Sequence, residues 1–170
     1  ELIAAGDVRP LEFRFQDGWV EHSKEGMPDR DVSPLSAETR ESWRPRNLRR
    51  AIQLHDENSI GQQLLQRAQR KLRQLRLQHH SAAGLVIARD IDHARAITVL
   101  LEQDGNQVDL VHSQEPGAME RLNGFQQGSA DWLVSIDMCA EGFDAPRIRV
   151  VAYLTTVVTR SRFLQGITRA

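Results

Sequence analysis

Residues 131–146 read DWLVSIDMCAEGFDAP, and the passage of this stretch from apolar to polar decides the fold. Trp132, Leu133, Val134 and Ile136 form a near-continuous apolar run, as expected of a strand covered on both faces. Asp137, Glu141 and Asp144 then place three carboxylates in one loop. Gly142 lets that loop turn and approach a ligand closely, and Pro146 stiffens its exit. In α/β units the end of such a strand is where ligands sit.

The same grammar extends to both sides. Residues 84–88 read as a short buried strand with Arg89 and Asp90 at its end. Residues 91–94 open a helix whose buried face is Ile97, Leu100 and Leu101, and Asp104-Gly105 stop it. Residues 108–111 form the next strand, ending at His112-Ser113. A helix over 115–127 follows, with Pro116 in its first turn, Ser113 or Gln114 near the cap, and Met119, Leu122 and Phe125 on its apolar side. After the quoted loop, residues 149–154 give a further strand with a threonine-rich exit, and 160–170 begin a helix. Gln165 and Arg169, four apart, share one face of that helix. Short strands alternating with helices imply a parallel sheet flanked by helices, joined by right-handed crossovers.

Upstream the pattern is looser. Residues 10–15 alternate apolar and polar as a half-exposed strand does, Asp17-Gly18 mark a turn, and Trp19-Val20 begin a return strand. Residues 21–46, with Gly26, Pro28, Pro34 and Pro45, read as loop. Residues 46–80 read as helix, capped by Asn58 or Asp56, with Ile60, Leu64, Ala68, Leu72 and Leu75 in one stripe widened by Leu65. Arg67, Arg70, Lys71, Arg73 and Arg76 lie beside or opposite the stripe; they make either a solvated face or a track for phosphates. Two units result: 1–46, an interdomain segment or linker with a short strand pair, and 47–170, the α/β domain.

Composition excludes several classes. The 170 residues are 40% hydrophobic and 26% charged, with a net charge of −1, so bulk charge points to no polyanion. The single cysteine, Cys139, allows no internal disulfide, suits a reducing cytosol, and reads as a packing residue. No apolar run approaches the ~20 residues of a membrane span. The start at Glu1 and a helix still running at Ala170 read as the ends of an excised piece.

Ser135 at a strand end, followed by Gly142-Phe143-Asp144, resembles motif V of superfamily 2 helicases and translocases. FLQGITRA, residues 163–170, is similar to motif VI, Gln-x-x-Gly-Arg-x-x-Arg: Gln165 and Arg169 match the first Gln and first Arg, and Thr168 stands where the Gly belongs. The strand–Arg89–helix unit resembles motif IV. The resemblance covers roughly residues 84–170 and lies nearest the helicase subunits of type III restriction enzymes and DEAD/DEAH-like proteins. It implies the second of two RecA-like domains, cut short at its C-terminal end. The phosphate loop and acidic box that hold ATP and Mg²⁺ are missing from this sequence, and the family carries them on an upstream domain. The resemblance implies that Arg169 approaches the triphosphate as the catalytic group. Gln165 holds the motif VI helix or contacts phosphate, Gly142 allows close approach to the nucleotide, and Asp144 accepts from the ribose or orients Arg169. Ser135, Ser113 and Arg89 face a nucleic-acid backbone, expected to be DNA, in a sequence-independent way. The bare residues leave alternatives: Ser113 as a helix cap, Arg89 paired with Asp90 or Asp92, Asp144 and Gly142 as turn residues, and Arg169 as a surface residue. The expected setting is cytoplasmic, with the upstream RecA-like domain as partner, no ATP or Mg²⁺ bound to this piece alone, and no membrane. A non-catalytic α/β nucleotide- or protein-binding module is the other reading.

Overall fold

A computed structural model of the chain describes residues 12, 14, 19–23, 30–34, 51–54, 59–112, 116–136 and 145–155. Among them, β1 (Trp19–Ser23) and β2 (Arg30–Pro34) pair antiparallel as a two-stranded sheet. The return strand expected at Trp19 is present, but it pairs with 30–34, a stretch read as loop. Its prolines punctuate rather than exclude: Pro34 sits at the end of β2, where a missing N–H costs little. Glu12 and Arg14, inside the expected 10–15 strand, are in neither strand nor helix, and the rest of that strand lies outside the described residues.

The main body is a four-stranded sheet in the order β4-β5-β3-β6, parallel at every pairing. Its strands are β3 (Ala83–Ala88), β4 (Val108–His112), β5 (Trp132–Ile136) and β6 (Ile148–Leu154). Helix α1 (Ile60–Arg76) packs over β6 and β3, and α2 (Ile91–Gln103) over β3, β4 and β5 on the same face. Helix α3 (Ala118–Gln127) covers the opposite face near β4. The expectation of a parallel sheet flanked by helices therefore holds.

Alternation along each strand splits the core between these faces. Trp132, Val134, Val86, Ala88, Ala152 and Leu154 join Leu65, Leu72, Ile97 and Leu101 under α1 and α2. Leu133, Leu85, Ala83 and Val111 meet Leu122 and Phe125 under α3. Between β3 and β6 the register jumps: Ala83 pairs with Ile148 but Gly84 with Val150, leaving Arg149 as an extra residue. That bulge explains why Ile148 and Val150, two apart, pack on opposite faces.

Helix boundaries shift where local chemistry overrides pattern. The 46–80 helix is interrupted: residues 52–54 are not helical, and α1 starts after Ser59, whose hydroxyl accepts from Gln62 N–H at 3.3 Å. The cap is thus Ser59 rather than Asn58 or Asp56. The helix ends at Arg76, short of His79 and His80. The 115–127 helix begins only at Ala118, because Gly117 takes a left-handed conformation, φ 84°, in the cap position. Gly117, without a side-chain cap bond, stands where Ser113 or Gln114 was expected. Pro116 precedes the helix, and Met119 points outward while Ala118 takes its place inside.

Candidate functional site

All four strands run in the same direction, so their C-terminal ends form one edge of the sheet. On this edge the register sets Ser135 of β5 beside Ile87 of β3 and Val111 of β4. Arg89 leaves β3 two residues past Ile87, and Thr155, buried, leaves β6. Ser135 and Arg89 therefore lie at the C-terminal ends of neighbouring strands. Ser113, Gly142, Asp144, Gln165 and Arg169 lie outside the described residues.

Ser135 is 1% exposed, and its Oγ has no hydrogen-bond partner among the described residues. An unpaired buried hydroxyl costs about 1–3 kcal/mol, so this strand end carries a polar group that the described residues leave without a partner. It lies one residue before the C-terminal end of β5.

The Arg89 turn is organised by side chains. Asp90 caps α2: its Oδ1 accepts from His93 N–H at 2.9 Å, and its Oδ2 accepts from Arg89 Nε at 2.5 Å. Burial pushes the Asp90 carboxyl up, but the Arg89 hydrogen bond and the His93 N–H outweigh it and hold it below the ordinary aspartate value. Arg89 is thus paired with its neighbour, one of the two roles open to it from sequence; 29% of its side chain stays exposed.

Behind this turn lies a histidine that the sequence reading passed over as one of the residues opening a helix. His93 is buried, and Nε2–H donates to the Ile52 carbonyl at 2.8 Å, while Nδ1 accepts from Arg89 N–H at 3.3 Å. The carbonyl fixes the proton on Nε2, so both ring nitrogens are used by a neutral imidazole. Burial, chiefly, pulls its pKa below the usual histidine value, with the Arg89 charge adding to the effect and the Ile52 carbonyl opposing it. The result ties residues 51–54, just upstream of α1, to the Arg89 end of β3. A His three residues after an N-cap Asp was the available signal; its partner, 41 positions upstream, was not.

Among the described residues no group of three or more His, Cys, Asp or Glu side chains could hold a metal ion, and no helix is long and apolar enough to cross a membrane.

Residues 60–170 match the family described as helicase conserved C-terminal domain. Two curated relatives align over 99% of this chain: Rv2917 of Mycobacterium tuberculosis (36% identical) and ML1624 of Mycobacterium leprae (34%). The chain spans 28% of the length of each. Among solved structures, the Pyrococcus furiosus Hef helicase domain superposes with a TM-score of 0.51 at 20% identity, covering 63% of this chain and 22% of that one. Domain 2 of the DEAD-box helicase Mss116p, solved bound to an RNA duplex, gives 0.52 at 13% identity, covering 63% and 44%. At these identities the superpositions speak for the fold, which is that of a RecA-like helicase C-terminal domain.

Proposed function

The chain belongs to the helicase conserved C-terminal domain family, and from that premise we propose that it is the second motor domain of an ATP-dependent helicase or translocase. In this reading it supplies half of an ATP site and half of a nucleic-acid track, and an upstream RecA-like domain of the same protein supplies the rest. The observation that carries the reading is the family match over 60–170 together with one parallel strand edge that holds both Ser135 and Arg89.

Motor action needs charge stabilisation on the transferring phosphoryl group and a grip on the strand that changes as the two domains close. Arg169 is the group we assign to the first task, with Gln165 sharing its helix face and Gly142 and Asp144 at the nucleotide. Mg²⁺ bound with ATP would be held by the upstream domain and would neutralise phosphate charge there. Ser135, Ser113 and Arg89 are assigned to the backbone of the nucleic acid, taken as DNA, in a cytoplasmic setting. For Ser135 the supporting fact is a buried hydroxyl with no partner among the described residues. For Arg89 the pairing with Asp90 sets the terms: it engages phosphate through the guanidinium nitrogens that Nε leaves free. A kinship with type III restriction helicase subunits is the finer form of the proposal.

The test is ATP hydrolysis by the full-length protein with and without DNA or RNA, comparing Arg169→Ala with the parent. The parent should show nucleic-acid-stimulated turnover, and the variant should lose about two orders of magnitude. An inert parent, or a variant as fast as the parent, refutes the assignment. The 170-residue chain alone should hydrolyse no ATP.

A further inference from the structure

The cationic helix α1 is not used by the site just described. From Ser59 to Arg89 the sequence contains no Asp or Glu, in a chain whose net charge is −1. The buried side of α1 is Gly61, Leu65, Ala68, Gln69 and Leu72. Its outward side presents Arg67, Arg70, Lys71 and Arg73, all exposed, with Gln66 and Gln74 between them. The helix has no acid in its first turn, where one would favour the dipole, so no carboxylate of its own offsets these cations.

Neighbouring elements do little to neutralise the face. Arg67 and Arg70 have no ion-pair partner among the described residues. Arg73 donates to the Gln69 amide oxygen at 3.4 Å, a neutral partner. Lys71 lies 3.7 Å from Glu12, but that carboxylate is already bonded by Arg14, so the trio keeps a net positive charge. Arg76, the inward cation, is spent on Asp131.

We propose that the outer face of α1 is a second nucleic-acid contact, gripping phosphates away from the strand-end edge. The proposal rests on the motor reading for its partner class. Charge complementarity selects the occupant. Arg67 to Arg73 span about 9 Å of helix axis, the axial rise of two to three phosphates of one strand at about 3.4 Å each. The glutamines add neutral donors suited to phosphate oxygens. A protein partner fits less well, since stable protein interfaces need an apolar centre, and the exposed Leu77 lies past the end of the helix. Because α1 runs from the strand-end edge at Ser59 towards the opposite end at Arg76, these cations extend the grip along the flank of the domain and not across the cleft.

The experiment uses the full-length protein and a labelled duplex DNA of arbitrary sequence, with a matched RNA duplex as a second probe. Affinity is measured against salt for the parent and for the Arg67→Gln/Arg70→Gln/Lys71→Gln/Arg73→Gln variant. Glutamine keeps helix propensity, and a melting curve matching the parent's checks the fold. The pair variant Arg67→Gln/Arg70→Gln serves if the quadruple variant melts early. Loss of two to three phosphate contacts should flatten the slope of log affinity against log salt by about two to three, with weaker binding on either duplex. A parent-like slope in a folded variant overturns the proposal and leaves an acidic protein as the occupant; a parent that binds neither duplex overturns it too. If the slope flattens while the parent shows no stimulated ATP turnover, the contact stands and the motor reading falls. If turnover is stimulated but the slope is unchanged, the reverse holds.

Discussion

Gly84 sits at the centre of the sheet because Trp132 occupies the space its side chain would need. A Cβ placed on Gly84 would lie 2.2 Å, 2.3 Å and 2.6 Å from three carbons of the Trp132 ring. Carbon atoms pack at about 3.5–4.0 Å, so Gly84→Ala demands that the ring or the strand move by more than 1 Å. The ring cannot yield outward: Trp132 is fully buried, on the face covered by α1 and α2. Overpacking in such a core costs about 1–3 kcal/mol and occasionally more, and a shift this large belongs at the upper end. Reduced freedom of the unfolded chain returns about 0.4–1 kcal/mol, leaving a net loss of about 2 kcal/mol. For a chain of this size that lowers the melting temperature by about 4–8 °C. The assay is thermal and denaturant unfolding of Gly84→Ala beside the parent, with Trp132→Leu added in both backgrounds. The second change should cost less in the alanine background, because the clash goes with the ring. A Gly84→Ala melting point within about 2 °C of the parent, or strictly additive substitutions, would refute the argument.

Arg147 donates to three backbone carbonyls, Ser81 at 3.2 Å, Phe125 at 2.7 Å and Ala130 at 2.6 Å, and lies 4.7 Å from the Phe125 ring centroid. Arg147→Ala should cost about 2–3 kcal/mol in denaturant unfolding, after discounting for partial exposure, and Arg147→Lys should recover less than half. His93 is held neutral with its pKa below the ordinary value of about 6.5. Below that pH the unfolded chain takes up a proton that the folded chain refuses, so stability should fall as pH drops through about 6 and level off beneath the folded value. His93→Gln should remove that part of the slope in denaturant midpoints taken across the range; the Asp90 contribution, also lost on acidification, falls at lower pH because its carboxyl is held down. Asp131 accepts from both Arg76 and the Gln107 N–H, at 2.7 Å for the latter, so Asp131→Ala should destabilise by about 2 kcal/mol and Asp131→Asn by less, read by the same unfolding assay.

The strands were legible because burial on both faces leaves a continuous apolar run at β3 and β5. The stop of α2 at Asp104-Gly105 was legible because Gly105 takes a positive φ there. What failed was local: the left-handed Gly117 that delays α3, and the Ser59 cap that displaced Asn58 and Asp56. Both depend on how the chain must enter the packed layer, which periodicity does not encode. β2 was missed because proline and charge outweigh a weak alternation until a partner strand is present. At the candidate site, Ser135 and Arg89 were singled out by the resemblance to motifs V and IV. The hydrogen bonds that set their state, Arg89 to Asp90 and His93 to Ile52, depend on contacts that a linear pattern leaves open.

The two ends of the sheet are built differently. At the N-terminal ends of the strands, Arg76 bonds Asp131 and the Ala82 carbonyl, and Arg147 gathers its three carbonyls. Nearby, buried Gln69 links α1 to Asp104 at 2.8 Å and to Asn106 at 3.0 Å. These bonds join both helix layers to three strands, and none involves a residue assigned to ligand. At the other end, the Ser135 hydroxyl has no partner among the described residues, and Arg89 is paired with its acidic neighbour Asp90. A sheet tied together at the N-terminal ends of its strands can leave a polar group unsatisfied at the other end without losing its shape. Changes at Arg147 or Asp131 should act through unfolding; under the proposed function, changes at Ser135 or Arg89 should weaken binding, and Ser135→Ala should raise stability by up to about 1–3 kcal/mol, because it removes a buried hydroxyl without a partner among the described residues. His93 belongs to both groups, since it is buried in the core yet bonded to the Arg89 backbone, and its substitution should move stability and binding together.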